Sequence, residues 1–100
     1  MKTNETNQNQ KYIVRTDRAG VFYARIVERR GSEADLADAR RIHYWQGATE
    51  CIGIATGGLD ANNSRVTVPI ESMTVLGVIE VLPVTDVARD ILDAVKPWRR

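Results

Sequence analysis

Six consecutive residues carry most of the chemistry this chain can offer. Arg40, Arg41, Ile42, His43, Tyr44 and Trp45 place two guanidiniums, an imidazole and two large aromatic rings side by side. Arginine beside aromatic rings is what stacking on a nucleobase or pairing with a phosphate requires. The same residue types dominate the hot spots of protein–protein interfaces. On a strand, Arg41, His43 and Trp45 would project to one side and Arg40, Ile42 and Tyr44 to the other. The competing reading makes Ile42 and Trp45 core and the two arginines the rim of the domain. A second basic and aromatic group, Lys96, Trp98, Arg99 and Arg100, closes the sequence. A terminal tryptophan is expected to pack on its own domain or on a neighbouring subunit, so Trp98, Arg99 and Arg100 are candidate assembly contacts. Arg15, Arg18, Arg25, Arg29 and Arg30 add charge around the first hairpin, partly offset by Asp17, Glu28 and Glu33. A mixed, solvated surface is the expectation there.

Constellations for covalent or metal chemistry are sparse. His43 and Cys51 are the sole histidine and the sole cysteine. A Cys–His nucleophile pair needs a thiolate-stabilising setting and an orienting third group. Cys51 instead lies among Ile52, Ile54 and Ala55, where a buried, inert thiol is expected. One His and one Cys cannot close a zinc site within a chain. Gly57-Gly58 lacks the Lys and Ser/Thr of a phosphate loop. Asp86, Asp90 and Asp93 read as a solvated helix face, and Asp35 with Asp38 as neighbours without convergence. No catalytic residue, metal or cofactor is assigned, and the chain is expected to act without enzymatic chemistry.

The scale of the molecule points the same way. One hundred residues, 43% apolar and 27% charged, are those of one ordinary globular domain. A net charge of +1 makes neither a polyanion nor a membrane surface the default partner. A nucleic-acid surface would have to come from local clustering of arginines. The stretch from Met1 to Gln10 has no apolar residue after Met1, so it reads as a disordered polar tail and not a signal peptide. No apolar run approaches a membrane span. The expected location is the cytoplasm, with a virion as the alternative.

The elements that must position these residues are read from periodicity. Lys11–Thr16 and Val21–Glu28 are β-branched and aromatic, joined by turn chemistry at Asp17–Gly20. Val21–Glu28 carries apolar residues on both faces and is expected to be central. A hairpin at Arg29–Ser32 leads to Glu33–Ala39, whose composition favours helix but whose position after the turn favours a strand with Leu36 inward; strand is the reading adopted. Arg40–Trp45 is strand. Gly47–Thr56 predicts one or two helical turns with Thr49 as N-cap. Alternation predicts further strands over Arg65–Ile70 and Met73–Val81. Thr85 caps a terminal helix from Asp86 to about Val95, with Val87, Ile91, Leu92 and Val95 as its apolar stripe. The sum is a mainly β domain with minor α, over residues 11–100. A small SH3-like barrel or a strongly curved antiparallel sheet with a C-terminal helix is expected.

The segment from Ala39 through Arg40, Arg41, Tyr44 and Trp45 to Gly47-Ala48, followed by 78–85 and by Val95-Lys96-Pro97-Trp98, resembles a family of small uncharacterised proteins of tailed phages and prophages. The opening strand 11–16 and Ala19-Gly20-Val21-Phe22 belong to the same likeness, which covers residues 11–98. Where that family has a Ser- and Leu-rich helix after Gly-Ala, this chain has 49–56. The resemblance implies phage origin and a compact domain, and no mechanism.

The function expected from these readings is that of a phage accessory protein working by binding a host or phage partner, including against a host defence. Arg40, Arg41, His43, Tyr44 and Trp45 are the candidate contacts. A protein partner or self-association leads the partner classes, with nucleotide or nucleic acid behind, and neither membrane nor metal. A structural virion or assembly component is the alternative, and a nucleotide- or nucleic-acid-binding barrel a further one.

Overall fold

The computed structural model describes residues 9–98. Strands β1 (Tyr12–Thr16), β2 (Val21–Arg30) and β3 (Glu33–Tyr44) form an antiparallel meander. Helix α1 (Cys51–Gly57), strands β4 (Arg65–Val66), β5 (Ile70–Val75) and β6 (Val78–Pro83), and helix α2 (Asp86–Ala94) follow. All strands pair antiparallel in one sheet of order β4-β3-β2-β1-β6, with β5 also paired to β3. The chain is mainly β with minor α. Residues 33–39 are strand despite their helix-forming composition. Ala34, Leu36 and Ala39 fill a core there, and β2 and β5 pair the segment on its two edges.

The connection between β5 and β6 dictates the curvature. These strands lie at opposite edges, four inter-strand steps apart, which is about 19 Å in a flat sheet. Only Leu76 and Gly77 join them, and three residue steps of chain reach about 11 Å at most. The sheet therefore curls until its edges converge. Gly77 makes the corner at φ +74°. The Val78 N–H then donates to the Ser32 carbonyl in the β2–β3 turn (2.8 Å), and Asp17 N–H to the Gly77 carbonyl (2.8 Å). No ladder joins β5 to β6, so the sheet is strongly curved but open, and the barrel alternative is not realised. The continuous strand expected over Met73–Val81 is accordingly two strands on opposite edges. The strand expected over Arg65–Ile70 is likewise broken: β4 holds two residues, and Ile70 opens β5 beyond Pro69, which has no N–H to donate.

Each face of the sheet carries a buried cluster, as the two-sided apolar pattern of β2 predicts. The concave face holds Val14, Phe22, Ala24, Ala34, Leu36, Ala39, Val75 and Val78. The opposite face, with Ile13, Tyr23 and Ile42, packs against Cys51, Ile54 and Ala55 of α1 and Ala88 and Leu92 of α2. Thr85 Oγ1 accepts from Ala88 N–H (3.1 Å) as the expected N-cap of α2 and donates to the Thr56 carbonyl of α1 (2.9 Å). Two helix details differ from expectation. The residue preceding α1 is Glu50, with no side-chain cap, in place of Thr49. Val87 is exposed while Ala88 is buried, because the face presented to the sheet runs through 88, 92 and 95.

Most of the expected polar tail (residues 1–8) lies outside the described residues, as do Arg99 and Arg100. Gln10 is described, and its Nε2 donates to the carbonyls of Lys11 (2.7 Å) and Val84 (3.2 Å).

Candidate functional site

Two extra residues in β3 decide where its side chains go. Tyr23 pairs Arg40 and Arg25 pairs Ala37, so β3 has one residue more than β2 across this step. Asp38 takes the left-handed conformation there (φ 51°), and Arg25 holds its carboxylate at 2.8 Å. Such a bulge reverses the side-chain parity beyond it. Ala34, Leu36 and Ala39 face the concave core, whereas Arg40 and Ile42 face the helices. A second extra residue, His43, sits between the pairs Ile42–Val66 and Tyr44–Arg65.

Arg40 is consequently not a surface contact. It is 6% exposed. Its Nε donates to the Thr67 carbonyl (2.8 Å), Nη1 to Leu92 (3.0 Å) and Nη2 to Val95 (2.7 Å). The last two carbonyls close α2, which has no basic residue in its own last turn. Burial lowers the Arg40 pKa, with the nearby Asp93 carboxylate opposing that shift. Trp45 also turns inward. Strand β3 has ended at Tyr44, so Trp45 escapes the expected alternation, packs on the helix-side core and donates Nε1–H to the Ala48 carbonyl (3.1 Å).

Arg41, His43 and Tyr44 remain outside, and they do not share one surface. Arg41 lies over the Phe22 ring (5.1 Å) beside a groove of about 500 Å³ at the β5–β6 corner, floored by Met73, Val75 and Leu76. His43 and Tyr44 belong to the other end of the domain. The bulged His43 stacks on Trp98 with centroids 5.6 Å apart and planes 14° from parallel. Trp98 is anchored by its N–H, which donates to the Val66 carbonyl of β4 (2.8 Å). It thus packs on its own domain, one of the two placements expected of it. Arg65, cross-strand from Tyr44, lies over both the Tyr44 ring (5.7 Å) and the Trp98 ring (5.0 Å).

Tyr44, Arg65 and Trp98 rim a second open groove of about 500 Å³, lined also by Gln46, Asn62, Asn63 and Ser64. No carboxylate of the described residues lines it. Gln46 Nε2 donates to Tyr44 Oη (2.6 Å), which leaves the phenolic proton free to donate elsewhere. The loop that forms the far wall is held by Asp60. Its carboxylate accepts from Asn62 N–H (3.0 Å) and Asn63 Nδ2 (2.8 Å), and these bonds hold its pKa below the usual aspartate value.

The arginines sort by partner. Arg15, Arg18, Arg25, Arg30 and Arg89 meet carboxylates. Arg29 meets the Gly31 carbonyl, and Arg40 the three carbonyls above. Among the described residues, Arg41 and Arg65 are the arginines whose guanidinium meets neither, and each sits on an aromatic ring. Cys51 and His43 are not a pair: Cys51 is buried in the helix-side core, where burial raises its thiol pKa, while His43 is exposed against Trp98.

The family described as a domain of unknown function, DUF6948, matches residues 9–92. The chain belongs to this family. No curated protein and no solved structure matches it. Of the groove-rim residues, Tyr44 and Arg65 fall inside the matched span of the DUF6948 domain, and Trp98 follows it. No helix of the described domain is long and apolar enough to cross a membrane.

Sequence reasoning missed Arg65 altogether. A single arginine between Asn62-Asn63-Ser64 and an apolar alternation carries no signal of its own. Its role comes from the register that sets it opposite Tyr44, and from the terminal Trp98 folding back onto β4.

Proposed function

We propose that this DUF6948 domain is a phage-encoded accessory protein that acts by binding a partner, and that the partner meets the β3–β4 end around Arg65. The phage assignment rests on the resemblance of segments 39–48, 78–85 and 95–98 to small tailed-phage proteins. The binding assignment rests on one observation. Among the described residues Arg65 has no anionic or carbonyl partner, yet two exposed rings hold it at the rim of an open groove. Seven of the eight other described arginines have a carboxylate or carbonyl partner, the exception being Arg41. A guanidinium kept in place but unsaturated is suited to complete its hydrogen bonds with a partner.

The test compares the immobilised wild-type domain with Arg65→Ala and Trp98→Ala variants in a bacterial lysate, after matched thermal melts show that all three fold. A protein or nucleic-acid component retained by the wild type and lost with both variants supports the reading. Equal retention by all three, or retention by none, overturns it.

A further inference from the structure

We infer that the Arg65 groove takes a nucleotide unit, its phosphate on the guanidinium and its base edge on the amide side chains of the opposite wall. This assignment rests on the binding reading of the same groove and names its ligand.

The rim is rich in donors. The Arg65 N–H groups have no acceptor among the described residues, and they match phosphate oxygens in fork geometry. Tyr44 Oη accepts from Gln46 and so directs its own proton outward. Asn62 has no side-chain partner among the described residues, and no carboxylate of the described residues lines the groove. A bare phosphate would leave most of a 500 Å³ groove unfilled. A nucleotide-sized ligand falls within the volume range of small-molecule sites. The remainder of the wall suits a base. Gln46 and Asn63 already spend a donor on Tyr44 and Asp60, so Asn62 is the amide that offers a donor and an acceptor side by side, the pattern of a base edge.

The groove also argues against a protein anchor. Interface hot spots seat an aromatic or aliphatic side chain in an apolar pocket. No aliphatic side chain of the described residues lines this one. The net charge of +1 limits the electrostatic footprint to few phosphates. The expected ligand is therefore a single unit, free or within an unpaired strand, and not a duplex, whose base edges are paired.

Anisotropy titration of a fluorescein-labelled dT8 strand tests the assignment, alongside adenosine monophosphate followed by tryptophan fluorescence. Inorganic phosphate, a duplex and a phosphotyrosine peptide are the controls. Binding of dT8 or of the mononucleotide is expected to fall tenfold or more in Arg65→Ala and to weaken in Trp98→Ala. The dependence of log affinity on log salt should have a slope of about −0.7, one phosphate's worth, and flatten in Arg65→Ala. Asn62→Ala should reduce discrimination between bases with little effect on the salt slope. Binding of the strand alone assigns an unpaired segment, and binding of the mononucleotide alone assigns a free nucleotide; both support the inference. It is overturned if neither binds below about 1 mM, if the variants bind like the wild type, or if phosphate or the phosphopeptide binds as tightly. Arg65-dependent capture of a protein together with any of those outcomes would leave the binding function standing and remove the nucleotide.

Discussion

Arg40 and Val95 lie 55 positions apart in the chain, and a 2.7 Å hydrogen bond from the guanidinium to the carbonyl joins them. With Leu92 as a second acceptor, a buried strand residue supplies the cationic donor that the end of α2 lacks. Helix ends leave carbonyls without intrahelical partners, and burying them bare is costly.

Arg40→Met should accordingly destabilise the domain by about 3 kcal/mol, since several carbonyls lose their donor in a buried setting. Urea denaturation checks this as a lower midpoint at unchanged slope. Arg40→Lys should recover only part of the loss, because one ammonium cannot fork across three acceptors. A change in Arg40→Met within about 0.5 kcal/mol, typical of a surface position, would contradict the assignment.

Tyr23 and Asp93 form a second strand-to-helix tie that titrates. Tyr23 Oη donates to Asp93 Oδ1 (2.6 Å), and Lys11 Nζ reaches the same oxygen (3.0 Å). Burial pushes the Asp93 carboxyl up, but the bonds from Tyr23 and Lys11 outweigh it and hold the pKa below the usual carboxylate value. Burial, and then the Asp93 bond, drive the Tyr23 phenol well above its ordinary value. A depressed carboxyl contributes stability that is fully present above its unfolded pKa of about 3.9 and is lost as pH falls through the lower folded value. Thermal melts from pH 7 downward should therefore show an acid limb that begins near pH 4. Asp93→Asn should flatten that limb without abolishing it, because Asp35 and Asp60 are shifted in the same direction. An unchanged limb in Asp93→Asn would refute the linkage.

Gly47→Ala should damage the groove from behind its wall. Gly47 has φ +89°, and a Cβ there would stand 2.7 Å from the Asp60 backbone nitrogen. That nitrogen donates to the Gln46 carbonyl (2.7 Å), the bond that closes the segment 47–59 carrying α1. The left-handed backbone alone costs about 1–2 kcal/mol with a Cβ present, and the clash forces the loop to move. Urea melts should register the loss, and amide exchange should rise at residues 60–63. Unchanged exchange there would mean that the loop does not depend on this close approach.

Cys51 should be inert in the folded protein. It is buried against Ile54 and Ala55, and burial raises its thiol pKa. Thiolate, the reactive form, is correspondingly scarce. Labelling by a chromogenic disulfide reagent at pH 8 should be slow in buffer and rapid in denaturant. Fast labelling without denaturant would show that α1 opens readily.

The first strands, the core faces of β1 and β2 and the N-cap of α2 were legible because they are local properties of alternation and capping. The buried face of α2 was not, since Val87 is exposed and Ala88 buried. Ile13 and Val14, Phe22 and Tyr23, and Thr85 before Asp86 announce themselves within a few residues. The groove was not legible in this way. His43, Tyr44 and Trp98 stood out by type, but Arg65 had no local signature. Arg40 and Trp45 looked like surface candidates because arginine and tryptophan suit either a rim or a satisfied interior site.

By itself, then, the sequence determined a mainly β, two-faced sheet with a capped terminal helix, since backbone propensity and side-chain periodicity act over short spans. Tertiary structure alone decided that the edges curl together without closing, that Arg40 faces inward, and that Arg65 meets Tyr44 and Trp98. The reason is parity. One extra residue at Asp38 and another at His43 exchange the faces of every side chain beyond them, and only pairing with distant strands shows where such residues sit.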